Sequence, residues 1–518
     1  MGFKVSFIGA GSIGFTRTLL RDLMTVPEFR EGVDVSFTDL SERNLDMVRQ
    51  LCQRDLDHNG IKVAIQATTD RRAALKGAKY VFCVARIGGL EAFQSDIDVP
   101  LGYGVDQCVG DTLCAGGVMY GQRGIAAILD FCKDIREVGA PGAMLFNYSN
   151  PMAMLTWAAN KYGGVKTIGL CHGVEGGHNQ IADCTMYWAR RQGLIGAEET
   201  VTAEAIDIVA AGINHQTWYV KAQWRGIDLI PKMLELFEGH PNYPTTEKVR
   251  IDMLRRFGYY STESNGHLSE YVPWYRKRTD QIKDWIDLGC WINGETGGYL
   301  RVCTEGRQWF ETEFPEWLKQ PPNDIKPEHR SHERGSWILE ALETGRTFRG
   351  HFNVPNNGAI ANLPADAIVE VPGYVDRNGI NIPIVGELSL GCAAVCSVSI
   401  SVQRLAVEAA VHGNDQLLRQ AMMMDPLVGA VCTPPEIWQM VDEMLVAQAQ
   451  WLPQYGKAVA EAKARLAGGK KIATRQTQGA ARLHTKTLEE QRADKDEATK
   501  NASNADKAKE RPAAAAAK

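Results

Sequence analysis

The chain has 518 residues, of which 44% are hydrophobic and 23% are charged, and its formal net charge is -5. This composition suits a globular protein with two or three folding units, and the acidic balance provides no positive field for a nucleic-acid backbone. We find no apolar run of about 20 residues and no secretory leader pattern, so we expect a cytoplasmic protein with no membrane span and with small-molecule partners.

The first part of the chain alternates between strands and helices. Residues 3–8 form an apolar strand that ends at Gly9, a helical pattern follows from about Phe15 to Met24, and a second strand covers 33–38. Further predicted elements are a helix over 41–59, strands at 63–68, 80–85 and 143–147, and a helix over 121–138. Alternation of this kind predicts a parallel, doubly wound sheet of the Rossmann-like α/β class, extending over residues 1–195.

The remaining chain divides into two regions by composition. Residues 196–455 carry strand patterns such as 206–210 and 367–371 among aromatic helices, which predicts a second α/β domain for catalysis and oligomerisation. Residues 456–518 are rich in Ala, Lys, Glu and Gln, so we expect a disordered tail or a solvated helix. The twelve cysteines form no CxxC pair, which indicates reduced thiols.

A complete GxGxxG motif lies between the first strand and the first helix, with Gly9, Gly11 and Gly14 as its glycines and Ser12 between them. In this context the motif predicts a dinucleotide site, because the turn brings backbone N–H groups and the helix N-terminus to a pyrophosphate. Asp39 ends the second strand, where an acidic side chain accepts hydrogen bonds from a ribose and favours NAD over NADP. A role for Asp39 as a turn residue or helix N-cap remains open.

Three polar clusters follow predicted strands, at the edge where ligands bind in such sheets. Each ends an apolar stretch, and their candidate functional residues are Asn147 and Asn150, Cys171 and His172, and Asn214 and His215. A cysteine and a histidine at neighbouring strand ends are suitable ligands for one divalent cation. Packing or capping is an equally ordinary role for each residue alone, so the pattern by itself leaves the metal site open.

The order of these motifs resembles glycoside hydrolase family 4 over about residues 3 to 453. Further motifs that carry the resemblance are Asp111-Thr112, Gly116-Gly117, Thr262-Glu263-Ser264, Glu270-Tyr271-Val272-Pro273-Trp274, Asn362-Leu363-Pro364 and Met424-Asp425-Pro426. The resemblance implies an enzyme that requires NAD and a divalent metal, usually Mn²⁺. It assigns the metal to Cys171 and His215.

The same resemblance implies a substrate site and a mechanism. It places Asn150 and Asn214 against the sugar and Asn147 near the cofactor or the sugar. NAD would oxidise C3, a base would remove the C2 proton, the aglycone would leave by elimination, and water would add before the hydride returns.

We expect Glu263 to be the C2 base in that mechanism. Tyr259 and Tyr260 compete for the role, because the phosphoglycoside-cleaving relatives use a tyrosine. A purely structural role for Glu263 as a carboxylate at a helix N-terminus stays open.

The residue after the metal-binding cysteine indicates the substrate within this family. Members that act on phosphosugars carry Asp or Asn there, whereas members that act on unphosphorylated α-glycosides carry His, so we assign His172 to the catalytic set. The surrounding sequence is most similar to the α-galactosidase branch, although Gly173 stands where that branch usually has Ser. We therefore expect α-galactoside hydrolysis, with α-glucosidase, α-glucuronidase or α-galacturonidase activity as alternatives.

Two functions outside this family are also compatible with the glycine motif. One is an NAD-dependent sugar or hydroxy-acid dehydrogenase, and the other is a catalytically silent NAD-binding regulator. Neither requires the pair of Cys171 and His215. Arg86 is a candidate for a cofactor phosphate or a uronate carboxylate, with a surface role as its alternative. The family resemblance implies a homodimer or homotetramer.

Overall fold

The computed structural model describes residues 2–288, 293–469 and 471–495. In these residues twelve strands form one sheet. The strands are β1 (Phe3–Ile8), β2 (Val33–Thr38), β3 (Ile65–Ala67), β4 (Tyr80–Cys83), β5 (Met144–Asn147), β6 (Lys166–Gly169), β7 (Ile206–Ile213), β8 (Gln216–Trp224), β9 (Ile227–Asp228), β10 (Phe348–Pro355), β11 (Ile368–Asp376) and β12 (Gly379–Asn381).

Helices cover the sheet. They are α1 (Ile13–Met24), α2 (Glu42–His58), α3 (Arg71–Leu75), α4 (Gly89–Gly102), α5 (Cys114–Val138), α6 (Met152–Ala158), α7 (Gly173–Arg191), α8 (Met233–Glu238), α9 (Tyr243–Thr246), α10 (Lys248–Phe257), α11 (Asn265–Tyr271), α12 (Gly298–Trp317), α13 (Arg334–Thr344), α14 (Leu390–His412), α15 (Asp415–Met424), α16 (Pro426–Val431), α17 (Pro434–Ala447) and α18 (Gly456–Gly468).

The N-terminal part of the sheet is parallel and doubly wound, in the order β3-β2-β1-β4-β5-β6. This is the strand order of a dinucleotide-binding fold, so the predicted fold class is confirmed. The strands are apolar on both faces because helices cover both sides of a parallel sheet.

Helix α5 begins at Cys114, seven residues before the predicted start at 121. The two glycines near its start, Gly116 and Gly117, contact the backbone of Gly110 and Thr112 too closely to accept a side chain. Glycine has a low helix propensity, so the tertiary contact that requires it also hides the helix from sequence analysis.

The second half of the chain extends the same sheet with antiparallel strands. Asn353 of β10 pairs with Gly169 of β6, and the order continues β10-β11-β7-β8-β9. Strands β7 and β8 form a hairpin that is connected by two residues, Asn214 and His215. The hairpin therefore presents both residues at the sheet edge. A domain boundary at residue 195 stays a prediction.

The region after residue 455 differs from the expected disordered or solvated tail as far as residue 482, whereas residues 483–495 are mostly exposed and end in an exposed helix, as expected. Helix α18 buries Ala458, Val459 and Ala462 and packs on α17. Residues 471–482, which we call the C-terminal segment, then place Ala481 in a small apolar cluster. Small apolar side chains, hydrogen bonds and the ion pair between Arg465 and Asp442 dock this region. A sequence pattern is recognised mainly by large apolar residues, which are few here. The predicted tail residues 496–518 lie outside the described residues.

Within the described residues, helix α14 alone is long and apolar enough to cross a bilayer, by length and composition. Half of its apolar window is buried in the protein, where it packs against α5, α6 and α15. One face of α14 is thus part of the protein core.

Candidate active site

The glycine turn follows β1 and leads directly into α1. Gly9 has a φ of 83°, and a Cβ there would lie 2.6 Å from the Cα of Ala85, so the position requires glycine. The N–H of Gly11 donates to Asp39 Oδ2 at 2.9 Å, and Ser12 is the N-cap of α1. The turn is therefore held by backbone contacts with the loops after β2 and β4.

Asp39 is a structural residue of this turn as well as a ribose candidate. Its other carboxylate oxygen accepts the N–H of Ser41 at 2.9 Å, so both oxygens bind backbone donors. A carboxylate oxygen has two lone pairs, which leaves acceptor capacity for a ribose hydroxyl. Gly14 differs from the other two glycines, because nothing lies within 4 Å of a Cβ added there. Close helix packing therefore does not explain the third glycine.

Three side chains from separate segments converge beyond the carboxyl ends of β6 and β7. Cys171 follows β6, His215 lies in the β7–β8 hairpin, and Glu263 precedes α11. The Sγ of Cys171 lies 3.4 Å from Glu263 Oε1, and His215 Nε2 lies 3.6 Å from the same oxygen. One ligand atom from each of the three residues lies within 4.8 Å of the others. We call this set the metal cluster.

The backbone is strained at two of the three residues. His215 has a φ of 64° and Glu263 has a φ of 70°, values that non-glycine residues rarely adopt. The segment carrying Glu263 is fixed against β8 by the N–H of Thr262, which donates to the carbonyl of Thr217 at 2.7 Å. Strained backbone that the surrounding structure holds in place is typical of functional sites.

The charges of the cluster suit a divalent cation. Burial opposes ionisation of Glu263, but the neighbouring His215 and His267 lower its pKa to about 2, so that it is a carboxylate. Burial raises the pKa of the Cys171 thiol well above its ordinary value. A bound divalent cation reverses that preference, because it stabilises the thiolate directly. Thiolate and imidazole are ligands for a borderline divalent metal, and the carboxylate beside them adds negative charge to the site.

Asn214 supplies a second observation that points to a ligand. Its side chain is fully buried beside His215, and among the described residues neither its amide oxygen nor its amide nitrogen makes a hydrogen bond of ordinary geometry. The amide does lie close enough to Cys171 to lower the pKa of that thiol, against the larger effect of burial. An unpaired buried amide costs free energy unless a ligand or water satisfies it. This placement agrees with the predicted role of Asn214 in binding the sugar.

The two other predicted sugar-binding asparagines differ in placement. Asn150 is half-buried and donates its Nδ2 to Asp111 Oδ2 at 2.9 Å, which brings it to the cluster. Asn147 is fully buried, and its amide bonds to the N–H and the carbonyl of Ser149, both at 3.0 Å. Asn147 therefore shapes the turn that presents Asn150, and the structure favours this positioning role over direct contact.

The alternative tyrosine bases do not join the metal cluster. Tyr260 is fully buried in a different apolar cluster, where its hydroxyl bonds to Gln180 at 3.0 Å and its ring stacks on Phe237. Tyr259 is half-buried against the main core. The geometry thus favours Glu263 over both tyrosines as the group that reaches the reacting sugar.

His172 lies at the exposed edge of the site. Its Nε2 lies 2.6 Å from Glu333 Oε1, and its ring lies 6.0 Å from the ring of Phe15 in α1. His172 thus stands between the metal cluster and the glycine turn. The neighbouring Gly173 has no side chain for a clear reason, because a Cβ there would collide with the carboxylate of Glu263.

The sequence analysis did not predict two residues of this site, His267 and Glu333. His267 Nδ1 lies 3.8 Å from Glu263 Oε2, and the spacing of four residues between them was a usable signal. Glu333 lies in a distant loop, and no local pattern relates it to His172. Arg86 is the candidate for an anionic ligand. Among the described residues its Nη1 has no hydrogen-bond partner, and its Nη2 lies 3.9 Å from Asp111 Oδ2.

Comparison with known proteins identifies relatives along almost the whole chain. The profile of family 4 glycosyl hydrolases matches residues 4–187, and the profile of their C-terminal domain matches residues 210–428. The chain is 55% identical to an α-galactosidase of Rhizobium meliloti over 497 residues, which are 96% of this chain and 98% of that protein. It is 33% identical to an α-galactosidase of Bacillus subtilis over 87% of this chain and 99% of that protein.

A solved structure shares the fold at lower identity. A 6-phospho-α-glucosidase from gut microorganisms, crystallised in complex with NAD and Mn²⁺, has a TM-score of 0.69 at 20% identity and covers 88% of this chain and 99% of its own. The two profile matches together span more than half of the chain, and the motifs predicted the same relationship. The chain therefore belongs to glycoside hydrolase family 4.

Proposed function

We propose that this enzyme hydrolyses α-galactosides that carry no 6-phosphate, with NAD and a divalent metal, Mn²⁺ in the first instance, as cofactors. The observation that carries the proposal is the convergence of Cys171, His215 and Glu263 beside the unpaired amide of Asn214. The glycine turn lies at the same edge of the sheet. Identity of 55% to an α-galactosidase along almost the whole chain supports the choice of galactose.

The protein divides the cofactors between two sets of residues. Gly9, Gly11, Ser12, Gly14 and Asp39 would hold NAD within the unit that ends near residue 195. Cys171 and His215 would hold the metal. When bound, NAD takes up and returns a hydride, and the metal acts as a Lewis acid on a sugar oxygen.

The side chains of the site would then handle the sugar and its protons. Asn150 and Asn214 would donate and accept hydrogen bonds with sugar hydroxyls. The carboxylate of Glu263 would accept the proton from C2 and later return it. His172, at the exposed edge, would exchange a proton with the departing aglycone oxygen.

A panel of nitrophenyl glycosides tests the proposal. We expect the α-galactoside to be cleaved faster than the α-glucoside, the α-uronides and the 6-phosphorylated analogues. We also expect cleavage to require added NAD and Mn²⁺ after both have been removed. Undiminished cleavage after exhaustive chelation and removal of NAD would contradict the proposal, and net accumulation of NADH would indicate a dehydrogenase.

Solvent exchange at C2 tests the proposed base. In deuterium oxide the released galactose should carry deuterium at C2, because Glu263 exchanges its proton with solvent before returning it. Glu263→Gln should abolish both cleavage and incorporation, whereas Tyr260→Phe should retain both. Product with only protium at C2, released by an active enzyme in heavy water, would rule out C2 proton transfer.

The assembly and the compartment belong to the same proposal. Apolar side chains stand exposed on and beside α14, among them Ile384, Leu390 and Val398, and this face supports a homodimer or homotetramer. The described cysteines are all free thiols, which supports a cytoplasmic location. Light scattering on the wild type and on Leu390→Glu would test the assembly, and cell fractionation would test the location.

A further inference from the structure

A chain of hydrogen bonds leaves the metal cluster on the side away from Cys171. Thr112 Oγ1 lies 2.9 Å from Nδ1 of His215 and 2.8 Å from Oδ1 of Asp111. All three side chains are buried, with exposed fractions of 1% for Asp111, 1% for Thr112 and 5% for His215. Water therefore does not compete for these bonds.

The chemistry of the three groups fixes the direction of the bonds. An ionised carboxylate only accepts, so the single hydroxyl proton of Thr112 is donated to Asp111. Asn150 Nδ2 at 2.9 Å and Arg86 Nη2 at 3.9 Å face the other oxygen of Asp111. The hydroxyl oxygen of Thr112 is then an acceptor toward His215.

Nδ1 of His215 therefore carries a proton, and Nε2 is the nitrogen that can present a lone pair to a metal. The hydroxyl of Tyr271 also faces Nδ1, but at 3.4 Å, compared with 2.9 Å for Thr112. The lone pair of Nε2 points toward the side of the cluster where Glu263 Oε1 lies at 3.6 Å. A metal bound at Nε2 would therefore lie beside this carboxylate.

We propose that Thr112 and Asp111 are positioning residues for the metal, because they hold His215 in the tautomer that presents Nε2 as a ligand. Partners that orient a metal-bound imidazole in this way typically change metal affinity. Asp111 also accepts a hydrogen bond from the amide nitrogen of Asn150, so the sugar would meet the amide oxygen of Asn150. One carboxylate thus orients a metal ligand and a sugar-binding residue. This inference rests on the proposed metal site.

Titration of the metal-free protein with Co²⁺, followed by thiolate-to-cobalt charge-transfer absorption, tests the proposal without an activity assay. Thr112→Val removes the hydroxyl and keeps the shape, and we expect it to weaken Co²⁺ binding by about 10- to 100-fold. Thr112→Ser keeps the hydroxyl and should restore wild-type affinity. The matched control is Thr185→Val, in which a buried threonine of α7 loses a bond to its own helix and Co²⁺ affinity should stay unchanged.

The possible results separate this inference from the proposed function. Co²⁺ binding by Thr112→Val as tight as that of the wild type would overturn the inference, provided that Cys171→Ser loses the metal. If Cys171→Ser also keeps full affinity, the metal site itself is wrong. Nitrogen-15 NMR of labelled histidines in the metal-free protein gives an independent result, since a proton on Nε2 of His215 instead of Nδ1 would contradict the inference directly.

Discussion

The glycine turn and the metal cluster lie at the same edge of the sheet but are built in different ways. The glycine turn is one short stretch between β1 and α1, and its backbone bonds to Asp39 and Thr38 complete it. The metal cluster combines segments that are far apart in the chain, with strained backbone at His215 and Glu263. A local sequence motif can specify the glycine turn, whereas the metal cluster forms only when the whole chain has folded.

Loss of one metal ligand should have the largest effect, and it should change metal affinity and turnover without changing NAD affinity. We expect Cys171→Ser to reduce metal affinity by more than the roughly 10- to 100-fold that is typical of changes outside the ligand set, and to remove nearly all turnover. A hydroxyl is a far poorer ligand than a thiolate. NAD affinity, measured by fluorescence titration, should stay near the wild-type value.

The control for this substitution is Cys184→Ser, which changes a buried cysteine of α7 outside the metal cluster. It should lower the thermal stability and leave the metal affinity unaltered. Equal metal loss in both variants would mean that Cys171 acts through folding and not as a ligand.

Gly173→Ala should have the next largest effect, because its Cβ would force the Glu263 carboxylate away from Cys171. A displacement near 1 Å at a reacting group costs on the order of 100-fold in rate, so we expect kcat to fall by at least about tenfold. Gly176→Ala, three residues later in α7 and open to space, is the matched control. A kcat equal to that of the control would mean that Glu263 tolerates the shift.

Gly11→Ala tests the other region. A Cβ at Gly11 would lie 2.9 Å from Asp39 Oδ2 and would disturb the bond between Gly11 and Asp39. We expect NAD to bind about tenfold more weakly, which corresponds to about 1.4 kcal/mol, while Co²⁺ affinity stays unchanged. Gly14→Ala meets no protein atom, so it should fold with wild-type stability. Weaker NAD binding by this second variant would assign Gly14 to contact with the cofactor instead of helix packing.

The same contrast explains how much of the fold was predictable. Alternating strands and helices near the N-terminus predicted the parallel sheet, because each element has its own periodicity and turn residues. The sequence does not predict that β10 continues the sheet beside β6, since the two strands meet at one residue pair, Asn353 and Gly169. The docking of α18 was also missed, because two alanines and one valine are too few and too small to form a recognisable apolar stripe.

The site was predictable only in part for the same reason. The glycine motif predicts its own structure, but Cys171 and His215 are 44 positions apart in the sequence, and only the family resemblance brought them together. The roles of Glu333 and Thr112 follow only from their contacts with His172 and His215 in the folded protein. A residue's role that depends on a contact between distant segments cannot be predicted from sequence until the fold shows that the segments are neighbours.

The smallest expected effect concerns the C-terminal segment, which lies beyond residue 428, where the family profile ends. The N–H of Ala480 donates to Asp106 Oδ2 at 2.8 Å, and the same buried carboxylate binds Thr296 and Arg276. Asp106 begins the loop that leads to Asp111. The segment thus supports the sugar and metal side of the site and has no contact with the glycine turn among the described residues.

Ending the chain after Gly469 should therefore affect one region and spare the other. A hydrogen bond to a charged group contributes about 1.5–3 kcal/mol, and its loss should loosen the Asp106 loop. We expect a lower melting temperature and a kcat reduced several-fold, with NAD affinity unchanged. A chain that ends after Lys495 is the control and should match the full-length enzyme, because residues 496–518 contain no large apolar side chain. If the shorter chain lost NAD affinity instead of kcat, the segment would act on the whole fold, and the separation between the two regions would not hold.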